Sequence, residues 1–357
     1  MKITVNKSKL WFFTLFVIFL IISTLTIYIL PERYFNDTKI IVIDRWKEIG
    51  WVGSYPFAIM FYKLTGMKYL PFFIIAMIQF PITTYILYKI GIPRNFHILN
   101  VKNVLMYIAF LLLAIYMSMP TKEFITFLMF SPIPFIFRSE KSTHFKIIIS
   151  LLLFVACSFF RIYYLLIPIF AIAMYIASFI KIEKKAISTI FSGLMVVIFL
   201  SFSHGIIKGE FLSKLTREDY VLNNTNRQNI NSAIESPISQ DSWYGEAFGI
   251  VYGFMAVNVP ISEMIKHILS PQIVAFVIWE LLFFYILFVR FSRCLKNRKE
   301  NQMELWTLLI LMGYFMVQGI FEPDLGTSVR HKIGFLPLIY FALYYDRFIE
   351  REKLSEA

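Results

Sequence analysis

Apolar runs recur along the chain from Leu10 to Tyr345, separated by polar segments. A helix rises about 1.5 Å per residue, so roughly twenty apolar residues cross a hydrocarbon core of about 30 Å. The pattern predicts spans near 10–30, 69–88, 104–119, 123–137, 147–160, 162–180, 186–204, 271–289, 304–321 and 333–348. The third to fifth are short, bounded by Pro120-Thr121-Lys122-Glu123 and by Arg161. Ser54–Leu64 is apolar and aromatic but too short to span, which suits a re-entrant or interfacial helix. The expected fold is all-α, a polytopic transmembrane helix bundle of about ten spans. It forms a single domain over 1–357, with one long polar loop, 205–270, inserted in it.

Composition agrees with that pattern. Hydrophobic residues make up 58% of the chain and charged residues 16%. A soluble domain carries about 25% charged residues, so two soluble domains are excluded as a reading of the length. The N-terminal MKITVNKSK precedes an apolar run that ends in Ile27, Tyr28, Ile29 and Leu30. A signal peptide has a shorter apolar core and small residues at its cleavage site, so an uncleaved first span is expected.

The net charge of +12 would suggest nucleic acid on a soluble protein. Here the basic residues sit in short clusters between apolar runs, as the positive-inside rule produces, and no nucleic-acid partner is expected. With the N-terminus inside and spans alternating, the six inside segments hold 20 of the 35 Lys and Arg residues, at least three in each. Both termini are therefore expected in the cytoplasm, and 205–270 on the extracytoplasmic side. Cys157 lies in an apolar run and Cys294 in a basic inside segment, so no disulfide is expected. No Cys/His spacing for a metal, Walker loop, dinucleotide fingerprint or nucleophile elbow occurs, and no cofactor is expected.

Charged groups at membrane depth are costly and mark function. Arg161 stands in Cys157-Ser158-Phe159-Phe160-Arg161-Ile162-Tyr163-Tyr164, apolar on both sides. It is either an interfacial side chain reaching for water or a planar fork of donors holding an anion at a cavity mouth. Arg330, His331 and Lys332 are adjacent on the expected outer side, against the topology bias. They suit a phosphate clamp with a base beside it, or a patch touching lipid head groups. Glu322 and Asp324 stand ready as ion-pair partners or acid–base groups. Lys122 and Glu123 stand at a span start, either as neighbours facing different sides, with Glu123 serving the helix N-terminus, or with Lys122 supplying another anion contact. Loop 31–68 carries Asp37, Asp44, Arg45 and Glu48 among Trp46, Trp51 and Tyr55. Those aromatics fit a membrane interface better than a sugar platform. The long loop carries Arg217, Glu218, Asp219, Arg227, Asp241, Trp243, Tyr244 and Glu246, and loops of this length are often functional. Glu280 lies mid-span and is expected to face the bundle interior; His204, near a span end, reads as structural.

These features together resemble a bacterial O-antigen or capsular polysaccharide polymerase of the Wzy type. The residues that carry the resemblance are Thr121-Lys122-Glu123, Arg161-Ile162-Tyr163-Tyr164 with Pro168, the long loop before the last spans, and Glu322-Pro323 followed by Arg330-His331. The resemblance implies an inverting, metal-independent glycosyltransferase of the membrane-embedded C superfamily in the bacterial inner membrane. Its substrate would be an undecaprenyl-diphosphate-linked oligosaccharide, polymerised into O-antigen or capsule at the outer face. His331, Glu322 and Arg330 would be catalytic. Arg161, Tyr163, Tyr164, Lys122, Glu123, Lys332 and Arg217 would bind substrate. Membrane lipid is an implied partner, and the family leaves room for a second protein that sets chain length.

Three other readings stay open. A glycosyltransferase using a polyprenyl-phosphate sugar would call on Asp37 or Asp44, although no tight acidic pair is present there. A flippase of lipid-linked oligosaccharide would show two similar halves, and no repeat is visible. A membrane acyltransferase would want an early Arg–His pair, and the first histidine is His97.

Overall fold

The structure is a computed structural model that describes residues 6–43, 49–180, 182–214, 233–298 and 300–356. These residues are helical almost throughout, with one isolated antiparallel bridge between Ala233 and Asp324. Among them five helices are long and apolar enough to cross a membrane. They are α1 (Lys7–Ile29), α4 (Phe72–Ile90), α10 (Lys185–Lys208), α13 (Pro271–Lys296) and α14 (Gln302–Phe321). Between them lie α2 (Asn36–Ile43), α3 (Ser54–Leu64), α5 (Val101–Tyr116), α6 (Lys122–Phe130), α7 (Pro132–Arg138), α8 (Thr143–Ala156) and α9 (Leu166–Ala177). Also present are α11 (Trp243–Asn258), α12 (Ile261–Lys266), α15 (Leu325–Gly334) and α16 (Leu336–Glu356).

Local chemistry explains several boundaries. The Asn6 side chain caps α1 by accepting from the amides of Ser8 and Lys9. Asn100 caps α5 and Thr121 caps α6 in the same way. The stretch 123–137 is broken at Ser131, because Pro132 starts a new helix at the position where a missing amide costs nothing. Gly91 ends α4 at φ +136°, a conformation side chains rarely adopt, and the Phe348 ring fills the space beside it.

The chain divides into two compact units, Met1–Ile162 with Arg330–Ala357, and Tyr163–Val329. In the first, α1 packs on α4 and α5, and α16 packs on α4, α5, α6 and α7. Aromatic rings fill this core: Phe130 stacks between Phe154 at 4.4 Å and Phe335 at 4.9 Å. Tyr340 donates to the Gly91 carbonyl, and Tyr344 to Asn103 Oδ1, so the buried hydroxyls are satisfied.

In the second unit α14 is the hub, packed against α9, α10, α11 and α13 and buried almost all round. Glycines permit this close approach. A Cβ on Gly313 would meet the Ile167 carbonyl at 2.9 Å, and one on Gly319 the Phe254 Cα at 2.7 Å. Between 205 and 270, where the sequence reading places a polar loop, the described residues include the 16-residue α11, lodged on α14. Glu280 on α13 is buried. His204 lies beside the Glu210 carbonyl.

The surfaces of α1 and α10 resemble those of lipid-facing helices. Phe13, Val17, Ile21 and Leu25 form an exposed apolar stripe on α1, and Ile187, Phe191, Met195 and Phe199 one on α10. Each stripe steps by four residues along one face. Contiguous apolar surface of this extent is unstable against water and stable against hydrocarbon.

Candidate functional site

Two carboxylates, three cations and an imidazole meet inside the first unit. They come from α2, the start of α6, the segment before Ile162, and α15. The turn before α6 is clamped from two sides. Thr38 on α2 donates to the Pro120 carbonyl at 3.0 Å. Tyr62 on α3 donates to the Thr121 carbonyl, and accepts from the Thr121 amide and from Gln79. With Thr121 capping the helix, Lys122 and Glu123 are held in its first turn, where the helix dipole favours a carboxylate.

Arg161 is placed through its neighbours. The Gly53 amide donates to the Phe159 carbonyl at 2.8 Å, and Phe57 packs on Phe159 and Phe160. On α15, Gly334 lets the helix approach α6, since a Cβ there would lie 2.8 Å from Thr126 Cγ2. That approach sets Arg330 and His331 against Glu123.

The two carboxylates are held differently. Asp37 Oδ2 lies 2.8 Å from Arg330 Nη2 and 3.2 Å from Lys122 Nζ, and its Oδ1 accepts from the Tyr55 hydroxyl at 2.9 Å. The Lys122 ammonium also sits over the Tyr55 ring, 3.7 Å from its centre. Glu123 lies deeper, and its Oε1 is shared by three longer contacts. These are Arg330 Nε and Arg161 Nη2 at 3.5 Å each, and His331 Nε2 at 3.4 Å. Its Oε2 has no hydrogen-bond partner among the described residues.

Burial is graded across the cluster. The Glu123 side chain is 1% exposed, Arg161 5% and Lys122 9%, whereas His331, Asp37 and Arg330 reach 13 to 20%. Arg330, Asp37 and His331 are thus its least buried members, although Asp37 Oδ2 and Arg330 Nε are themselves out of contact with solvent. Burial pushes the Asp37 carboxyl up, but Lys122 and Arg330 outweigh it and hold it well below the usual carboxylate range. Burial pulls Arg330 down, and Asp37 and Glu123 more than offset that, so it is a permanent cation. Burial pulls Lys122 down, against the opposing pull of Asp37; with Lys122 charged, the three cations named here exceed the two carboxylates by one, before any proton on His331. Buried ion clusters of this kind contribute little net stability, and an excess of one sign prepares a site for the opposite one.

Of the site residues expected from sequence, Lys122, Glu123, Arg161, Arg330 and His331 come together here. Lys332 is fully buried on the same helix as Arg330. Tyr163, Tyr164 and Glu322 belong to the second unit, where Tyr163 stacks on Phe321 and both Tyr164 and Glu322 are buried. Arg217 lies outside the described residues, as do Asp44, Arg45, Trp46 and Glu48. Asp37 and Tyr55 join the cluster as well, beyond the residues that the resemblance to a polymerase implies. Their only signal in the sequence is a carboxylate and a tyrosine in the first polar segment after α1. No family model, curated protein or solved structure matches this chain.

Proposed function

We propose that this protein is a polysaccharide polymerase of the bacterial inner membrane. It joins undecaprenyl-diphosphate-linked oligosaccharide repeats into O-antigen or capsule at the outer face, without a metal. The observation that carries the reading is the largely buried cluster of Lys122, Arg161 and Arg330 around Glu123 and Asp37, with His331 beside it. The reading includes about ten spans with both termini in the cytoplasm, supported by the basic residues of the inside segments.

In this mechanism the acceptor sugar's hydroxyl oxygen attacks the anomeric carbon of the growing chain. The bond from that carbon to the diphosphate oxygen breaks, and the configuration inverts. The hydroxyl proton passes to His331 Nε2, and the departing lipid diphosphate takes the bonding electrons. Arg161, Arg330 and Lys122 stabilise the negative charge as it develops, which is where preorganised cations accelerate a reaction most. The lipid-linked donor carries its own leaving group, so no nucleotide is needed. The reading takes membrane lipid as the protein's surroundings and leaves room for a second protein that sets chain length.

A second reading gains one observation, the presence of Asp37 in the cluster. A transferase using a polyprenyl-phosphate sugar would use such a carboxylate as its base. Asp37 is poorly suited to that task, because Lys122 and Arg330 hold its proton affinity low. The test is the surface polysaccharide of a deletion strain, on a gel beside the complemented strain. Loss of the long ladder with a single repeat retained supports polymerisation. Loss of the single repeat as well points to an earlier step, including flipping, and overturns the reading.

A further inference from the structure

We infer that the exposed corner formed by Trp243, Tyr244, Asp241 and Lys214 in the second unit binds pyranose rings of a saccharide chain. The inference rests on the polymerase reading for the source of the glycan, and on the following geometry for the site. Trp243 and Tyr244 open α11 with their rings edge to face, 5.7 Å apart at 88°, and both are more than half exposed. Two perpendicular aromatic faces directed outward are costly to leave in water and suit the flat C–H face of a sugar. Beside them Asp241 is paired with Lys214 and accepts from the Ser239 hydroxyl at 2.6 Å. Its carboxylate, two residues before Trp243 in the chain, is held in place by these contacts and keeps lone pairs to which sugar hydroxyls would donate.

The frame underneath is rigid. Glu246, fully buried in the first turn of α11, accepts from the hydroxyl of Ser201 and from the amide and hydroxyl of Ser213. That ties Lys214 to the same helix as Trp243. Segment 239–242 is pressed onto the helix at two glycines. A Cβ on Gly245 would fall 1.9 Å from the Ser239 carbonyl oxygen, and one on Gly249 2.1 Å from Gln240 Nε2. A preorganised pair of aromatic faces with fixed polar groups loses little entropy on binding.

The test uses the full-length protein in nanodiscs. The probe is lipid-free polysaccharide, released by mild acid from cells that carry the chain. Saturation-transfer NMR from aromatic protons should show sugar signals with the unaltered protein. Trp243→Ala should weaken binding at least about tenfold, and Trp243→Phe should keep most of it. Asp241→Asn, which leaves the aromatic corner intact, should weaken it severalfold. No transfer with the unaltered protein, or equal transfer with Trp243→Ala, overturns the inference. So does a Trp243 shielded from aqueous iodide by the nanodisc lipid. If the deletion strain keeps its ladder while the polysaccharide still binds through Trp243, the polymerase reading falls and the saccharide site stands.

Discussion

Nε2 of His331 lies 3.2 Å from Nη2 of Arg161. A guanidinium only donates, so this contact is a hydrogen bond when Nε2 carries no proton. The same nitrogen lies 3.4 Å from Glu123 Oε1, a contact that becomes a hydrogen bond when Nε2 is protonated. One proton therefore decides which partner His331 holds. In the proposed reaction, a proton taken from the acceptor turns His331 toward Glu123. Arg161 then loses His331 as an acceptor while keeping its contact to Glu123, and can turn a donor to the leaving diphosphate as charge builds there.

His331→Ala should accordingly reduce polymerisation by about 10²- to 10⁴-fold, the usual range for a lost general base. Arg161→Ala should abolish the ladder, and Arg161→Lys should rescue little, because an ammonium lacks the planar fork. Immunoblots of membrane fractions beside the polysaccharide gel check this. A full ladder from correctly inserted Arg161→Ala protein would contradict the role.

Asp37 supplies a pH prediction. Its carboxyl is held below the ordinary value, so the stabilisation it provides is complete above the unfolded value of about 3.9 and fades as pH falls below it. Thermal unfolding in detergent should show Asp37→Asn less stable than the unaltered protein. The gap should stay constant from about pH 8 to pH 5 and narrow only below about pH 4. A gap that closes near neutral pH would contradict the ion pairs to Lys122 and Arg330.

Tyr62→Phe deletes the hydroxyl that bonds both the amide and the carbonyl of Thr121. These buried groups are left unpaired, at a cost of about 1–3 kcal/mol. The lost clamp should also loosen the first turn of α6. Lower thermal stability together with reduced polymer, both measured on the same preparation, is the expected outcome.

Gly334→Ala tests the approach of α15 to α6. The added methyl meets Thr126 Cγ2 at 2.8 Å, so the helix carrying Arg330 and His331 must shift. Overpacking of this kind costs about 1–3 kcal/mol. A paired Thr126→Ser removes the Cγ2 methyl but keeps the Cβ, 2.9 Å from the added methyl, so it should restore stability and polymer length only in part. Failure of that rescue would place the cause elsewhere.

The helical character of this protein and its apolar, lipid-suited surfaces were legible along the chain. Twenty-residue apolar runs and their caps are local properties, set by hydrogen bonding and transfer free energy within one segment. Ser54–Leu64 emerges as a helix over those same residues, because its apolar composition and glycine-led start are local too. Arg161, Lys122 and Arg330 stood out because charge between apolar runs needs a reason. Tertiary structure decided which of them share a site. Asp37, Lys122 and Arg330 are far apart in sequence, and no periodicity links them; packing around Tyr62, Thr38 and Gly334 brings them together. The helix at Trp243–Asn258 was hidden for a related reason. Glycines that weaken it as an isolated helix are what let its backbone lie close to its neighbours, and that compensation exists only once the chain has folded.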